Sequence, residues 1–140
     1  PKKNGIYPSV VLAQGILESG WGSSPLGKNH NNLFGMKGKK GGRSVLVNTF
    51  ESVKGKKVRR KAYFRRFDSW GECIRFHGRL LGSSRYYSFA KPIAKDAKHY
   101  LQLIGPVYAS QPTYAAHVGS IIDSYQLDRW DHHVALFQNR

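Results

Sequence analysis

The stretch PSVVLAQGILESGWG, Pro8 to Gly22, decides how this chain folds. Pro8 suits the first helical position, where its missing N–H leaves no hydrogen bond unmade. Val10, Ala13 and Leu17 follow at the three- and four-residue spacings that share one helix face. Gly20 and Gly22 bracket Trp21 and supply the stop. The spacing predicts a helix over 8–20, apolar along nearly its whole length, with one acid, Glu18, in its last turn.

Outward from this helix the pattern changes. Residues 22–42 are rich in Gly, Asn, Ser and Lys and read as a long connection carrying one apolar insertion, Leu33-Phe34-Gly35-Met36. SVLVNTF (44–50) and KVRRKAYFRRF (57–67) alternate with β-branched and aromatic residues. Gly55 lies between them, so a hairpin is expected. Ser69-Trp70-Gly71-Glu72 has the Ser-x-x-Glu capping pattern and opens a helix to about Leu81. Two further helices are expected over Pro92–Ile104, with Gly105 just past its end, and over Pro112–Tyr125. The predicted class is α+β: a mainly helical lobe with a small antiparallel β-lobe at about 43–67.

The 140 residues suit one domain, and the absence of Met at Pro1 suggests a segment excised from a longer multidomain protein. Forty per cent apolar and 13% aromatic residues exclude a disordered basic tail. No apolar run approaches the roughly 18 residues of a membrane span. Lys and Arg number 23 against 8 Asp and Glu, a net +15, with a dense cluster from Lys37 to Arg66. Such a surface seeks polyanions, whether nucleic acid, wall polymers or anionic lipid, but charge names no chemistry. The chain lacks zinc-finger and aromatic RNA-recognition signatures, so no specific nucleic acid is expected.

Several catalytic motifs fail. Gly22 to Asn29 comes within one residue of a phosphate-binding loop, but Asn29 stands where Ser or Thr must hold magnesium. The histidines are scattered and Cys73 has no second cysteine, so neither a metal nor a cofactor is expected.

The acids are few enough to weigh singly, with Glu18, Glu51 and Glu72 the only glutamates. Glu72 is explained by its capping box. Glu18 sits where a helix's unpaired carbonyls and negative dipole end disfavour a carboxylate, with apolar Leu17 and Trp21 beside it. Both influences raise its pKa, as a general acid requires. The ordinary alternative is a solvated helix-end acid. Glu51 ends the first strand among cations that favour its ionised form, as a base, as a stabiliser of positive charge, or in a plain surface ion pair. A protonated acid facing an ionised one is the division of labour of glycoside hydrolysis.

At this point the chain resembles a known family. YPSVVLAQGILESGWGSSPLGKNHNNLFGMKG (Tyr7–Gly38), Thr49-Phe50-Glu51 and AYFRRFDSW (Ala62–Trp70) are similar to the bacterial N-acetylglucosaminidases of glycoside hydrolase family 73. These include autolysins and flagellar-type peptidoglycan hydrolases. The likeness resumes at Arg85-Tyr86-Tyr87, LQLIG and YASQPTYAAHVGSIIDSYQLDRWD, ending at Asp131. It implies a lysozyme-like α+β fold and hydrolysis of the N-acetylglucosaminyl-β-1,4-N-acetylmuramic acid bond. Residue by residue it implies Glu18 as the catalytic acid, Glu51 as the second glutamate and Tyr114 beside the acid. Asn32, Phe34 and Gly35 match the segment flanking the glycan groove. Tyr108, counted with these substrate-binding residues, opens Tyr108-Ala109-Ser110-Gln111-Pro112, where the family often has Tyr-Ala-Thr-Asp-Pro. Gly105-Pro106-Val107 lengthens the approach to it, and Cys73 and Phe76 replace more usual polar residues. The implied partners are peptidoglycan strands and, through the basic surface, anionic wall polymers. The implied setting is a monomer secreted to the cell wall or delivered by phage. A lytic transglycosylase or muramidase, and a non-catalytic cationic wall- or nucleic-acid-binding module, are the rival readings.

Overall fold

The structure, a computed structural model, describes residues 6–132. In chain order it contains α1 (Pro8–Ser19), α2 (Pro25–His30), β1 (Ser44–Val53), β2 (Lys56–Arg65), α3 (Trp70–Ser83), α4 (Ala97–Tyr108), α5 (Tyr114–Ser124) and a 3-10 helix (Leu127–His132). The class is α+β, as the sequence predicts, with the strands segregated in one hairpin.

α1 runs through the middle of the helical lobe, packed by α3, α4, α5 and the 3-10 helix. A helix apolar on most sides must be enclosed on most sides, and Val10, Val11, Ala13, Gln14 and Gly15 are all buried. Its last turn emerges: Leu17, expected to share the buried face of Val10 and Ala13, is 39% exposed. At the other end, the N-cap Tyr7 makes no side-chain cap. Asp131 supplies it from far along the chain, Oδ1 accepting from Ser9 N–H at 2.7 Å and Oδ2 from Ser9 Oγ at 2.8 Å. A carboxylate there also meets the positive end of the helix dipole.

Gly20, left-handed at φ 57°, closes α1. Ser19 fastens the turn that follows, donating to Gly15 O at 2.5 Å and accepting from Gly22 N–H at 2.8 Å. Next comes α2, six residues inside the span read from sequence as a connection. Ser24 caps it by accepting from Gly27 N–H, Pro25 takes its first turn, and Asn31 ends it in the left-handed region. The Ser-Pro start was a usable signal; its brevity hid it among Gly and Asn.

The hairpin pairs Ser44 with Arg65 through Val53 with Lys56, around a two-residue turn at Lys54-Gly55. Its base is tied to the helical lobe at several points. Arg65 N–H donates to Met36 O, Gly38 N–H to Tyr63 O, and Phe67 N–H to His30 O. Arg43 reaches the start of α3, 2.9 Å from Asp68 and forked onto Glu72 at 3.1 and 3.2 Å. Glu72 also accepts from Asp68 N–H at 2.8 Å. These bonds hold the Glu72 carboxyl below the ordinary carboxylate range, with Arg43 the leading cause.

The later helix ends differ from expectation for local reasons. α4 begins at Ala97, because Asp96 caps it by accepting from His99 N–H, and Pro92 stands in the turns before it. It also runs through Gly105 and Pro106 to Tyr108. A proline there forfeits one hydrogen bond, but buried Ile104 and the close approach of Gly105 to Ala115 hold the last turn in place. α5 starts at Tyr114, two residues after Pro112.

Gly22 shows how tightly the turn after Glu18 is fitted. Its φ is +80°, and a Cβ there would lie 2.5 Å from the Trp70 ring, whereas Gly41 at φ +84° has nothing within 4 Å. Gly41→Ala is expected to lose about 1 kcal/mol from backbone strain alone. Gly22→Ala should lose at least about 1 kcal/mol more, because the indole must shift. Denaturant midpoints of the two variants check this, and equal losses would show that the Trp70 contact is unimportant.

Candidate active site

Glu18 reaches a cleft between the helical lobe and the hairpin. One wall carries Glu18, Ser24, Pro25, Leu26, Asn32, Leu33 and Gly35; the other carries Val47, Asn48, Thr49 and Phe64. Glu18 is open to solvent on the cleft side, yet its carboxyl is crowded from behind by phenols. Tyr108, the last residue of α4, donates to Glu18 Oε2 at 2.9 Å, and Tyr114, the first of α5, donates to the same oxygen at 3.3 Å. Their rings stack with centroids 5.3 Å apart.

This surrounding fixes the electrostatics. Burial raises the Glu18 pKa to about 7, and the bonds from Tyr108 and Tyr114 act against the rise without cancelling it. The direction is that expected from its helix-end position. The groups in contact are different: the phenols crowd the carboxyl, while Trp21 is 58% exposed and packs edge-on against Tyr125. Burial beside Glu18 pushes both phenols far above the ordinary tyrosine range, so they remain protonated donors. Because both occupy Oε2, a proton on Glu18 resides on Oε1. The arrangement lets a carboxyl at the edge of a cleft keep its proton well above the ordinary carboxylate range.

The other residues named from sequence fall in distinct places. Gly35 and Asn32 line the cleft. Asn32 is 1% exposed and its amide is fully engaged. Its Nδ2 donates to Met36 O at 3.0 Å and Arg65 O at 2.8 Å, and its Oδ1 accepts from Met36 N–H at 3.0 Å. It ties the loop to the base of the hairpin. Phe34 turns inward, flat on His77 at 3.8 Å between ring centroids and against Gly15. Tyr108 sits behind Glu18. Glu51 lies on the face of β1 that carries Val47 and Thr49, one pleat beyond the lining residues, and is paired with Arg60 at 3.4 Å. Among the described residues lining the cleft, Glu18 is the one carboxylate.

Sequence reasoning missed two buried groups behind the acid, His77 and Gln14. The signals were present: Gln14 precedes Glu18 by one helical turn, and His77 shares the buried face of α3 with Cys73 and Leu81. Cys73 is a core residue, accepting from Leu33 N–H at 3.4 Å, its thiol pushed by burial up to about 11. Among the described residues no three His, Cys, Asp or Glu side chains gather as metal ligands.

A family described as glucosaminidase, mannosyl-glycoprotein endo-beta-N-acetylglucosaminidase, matches residues 1–127. The chain belongs to the glucosaminidase family. As a member of that family it is a glycoside hydrolase, and its relatives include autolysins and peptidoglycan hydrolases. It is 38% identical over 137 residues to the exo-glucosaminidase LytG of Bacillus subtilis, covering 93% of this chain and 48% of LytG. It is also 38% identical over 137 residues to a probable N-acetylmuramidase of Lactococcus lactis, covering 91% of this chain and 31% of the relative. The glucosaminidase chain thus spans about half or less of the length of these curated relatives. In structure it is similar to the catalytic domain of the autolysin Auto from Listeria monocytogenes, with a TM-score of 0.82 at 36% identity. That match covers 93% of this chain and 78% of the other. The lysozyme-like α+β architecture is therefore that of the glucosaminidase family.

With three glutamates in the chain, side-chain carboxyl resonances are few enough to follow. A carbon-detected titration should find the Glu18 midpoint near 7. Tyr108→Phe removes a bond that favours the carboxylate, so the midpoint should rise. A wild-type midpoint in the ordinary range near 4 would refute the burial argument. The sign for stability follows. A folded-state pKa raised from 4.5 to about 7 contributes stability below 4.5 that is lost as pH rises through 7. Glu18→Gln should therefore raise Tm at pH 8 more than at pH 4.

Proposed function

We propose that this domain hydrolyses the N-acetylglucosaminyl-β-1,4-N-acetylmuramic acid bond of peptidoglycan, with Glu18 as general acid. The observation that carries this is a carboxyl raised to about 7, clamped on Oε2 by two phenols and opening on a cleft. In the proposed step the Oε1 proton passes to the glycosidic oxygen as its bond to the anomeric carbon breaks, and positive charge develops on the sugar ring.

Two routes complete the reaction. In one, Glu51 activates a water on the opposite face and the product is inverted, for which the two carboxyls stand about 6.5–9.5 Å apart. In the other, the substrate's 2-acetamido oxygen attacks the anomeric carbon, and water then opens the resulting ring with retention. Glu18, now ionised, takes that water's proton. The Arg60 pair and the place of Glu51 beyond the cleft lining favour the second route. Tyr108 and Tyr114 act by holding Glu18, Gly35 lines the glycan path, and Asn32 shapes it.

The hairpin extends the proposal to partners. On its outer face Phe50 lies under Lys57 and Arg59, 5.7 and 5.9 Å from ring centroid to charge, with Lys61 further along. We assign this face to anionic wall polymers, and action at the cell wall follows as part of the same proposal. Among the described residues no helix is long and apolar enough to cross a membrane.

The muramidase reading has its own support, since a relative's name specifies the other sugar. Borohydride reduction of digested walls decides between them: reduced glucosamine is expected, while reduced muramic acid or anhydro-muramic ends would overturn the bond assignment. In the same assay Glu18→Gln should lose at least about 100-fold in rate, the scale of general-acid catalysis. Retention of more than a few per cent of wild-type rate would sink its role. Glu51→Gln should keep substantial turnover if the acetamido group assists and little if Glu51 activates water.

A further inference from the structure

Polar side chains continue inward from Glu18 where an apolar core would be expected. His77 of α3 is 2% exposed and Gln14 of α1 is wholly buried. His77 Nε2 lies 3.1 Å from Gln14 Oε1 and 3.4 Å from Tyr108 Oη. Phe34 lies flat on the imidazole, the planes 6° apart, and Tyr108 meets its edge at 5.8 Å. The ring is therefore fixed on two sides by aromatic contact and on its Nε2 edge by polar atoms.

The hydrogens can be assigned by chemistry. Burial lowers the His77 pKa to about 3, so the ring is neutral near pH 7 and carries a single N–H. Gln14 Oε1 only accepts, which puts that hydrogen on Nε2. Tyr108 has one hydrogen and two neighbours. Glu18 Oε2 at 2.9 Å is the nearer, so the phenol donates there, and its oxygen is left to accept the longer, 3.4 Å branch of a His77 N–H shared with Gln14 Oε1 at 3.1 Å. His77 Nδ1 is left without a partner, while the Gln14 side chain also reaches Tyr114 and favours its ionised form. The pairing stands although a buried ring nitrogen goes unsatisfied.

We propose that His77 is a positioning residue for the acid: a neutral imidazole, protonated on Nε2, that donates to the Tyr108 oxygen and so commits the Tyr108 hydrogen to Glu18 Oε2. With Oε2 so held, the transferable proton of Glu18 is confined to Oε1, facing the substrate. A hydrogen bond received by the Tyr108 oxygen also polarises its O–H and strengthens the bond to Glu18. The opposite tautomer would do the reverse, presenting a lone pair that competes with Glu18 for the same hydrogen. This inference rests on Glu18 being the general acid.

The titratable groups facing Glu18 are Tyr87 from the segment after α3, Tyr108 of α4 and Tyr114 of α5, with His77 behind Tyr108. The phenols stay protonated, so the profile near neutrality reports Glu18 itself. His77→Phe keeps a ring on Phe34 but removes the donor. It should lower kcat on soluble peptidoglycan fragments about threefold, the lower range for one hydrogen bond because the donor is shared with Gln14, and leave KM unchanged because His77 is outside the cleft. The alkaline limb of kcat/KM should move to higher pH, since the carboxylate has lost support. His77→Gln, which can place an amide N–H near the Nε2 position, should restore most of kcat and the original limb.

Nitrogen NMR of the wild-type protein tests the proposal without any variant. The Nε2–H tautomer with no titration between pH 5 and 8 supports it. An Nδ1–H tautomer, or a midpoint near 6.5, overturns it. So does a folded His77→Phe enzyme whose kcat and pH limb match wild type. Should Glu18→Gln remain active, the function proposed for Glu18 falls, while the His77 tautomer and the Glu18 midpoint still report on the hydrogen-bond chain by themselves.

Discussion

The rest of this structure depends on keeping one carboxyl partly out of water at the end of a buried helix. Burial against the stacked phenols raises the pKa of a carboxyl in that position to about 7, although the hydrogen bonds those phenols donate favour its charged form. Three elements far apart in sequence meet to maintain this. α1 carries Glu18, α4 ends on Tyr108, and α5 begins on Tyr114. Because both phenols bond one oxygen, the other is free for chemistry.

The supports behind this site are themselves structural. Ser19 bonds on both sides of the turn after Glu18, and Asp131 caps the start of the same helix from the far end of the described chain. The hairpin is held at its base by Asn32, by Arg43 on Glu72, and by backbone pairing with residues 36–38. Its tip beyond Thr49 makes no comparable attachment to the helical lobe among the described bonds, and there Glu51 is paired with Arg60. The acid is firmly placed; the second glutamate stands on the less anchored part of the hairpin.

Much of this was legible in residue types. Period-2 alternation located the hairpin, and Ser69 with Glu72 located the start of α3, because a strand's exposed faces and a helix's unpaired N–H groups demand particular side chains locally. Glu18 was legible as an unusual acid for the same reason. α2 escaped because six residues show too little periodicity, and α4 was cut short because Gly105-Pro106 is a stop by local rules. The packing of Ile104 and the Tyr108 bond to Glu18 override that stop. Phe34, placed beside the groove by resemblance, turned inward because His77 offered it a flat buried partner.

By itself the sequence determined the helix that bears the acid, the hairpin opposite it and the sign of the shift in Glu18, since each follows from neighbours within a few positions. Tertiary structure alone decided which groups make that shift. Tyr108 and Tyr114 lie 90 and 96 residues from Glu18, and His77 lies 63 from Gln14. No periodicity reports contacts at such separations. They exist only once the apolar faces of α1, α3, α4 and α5 have closed on one another and excluded water from the polar atoms between them.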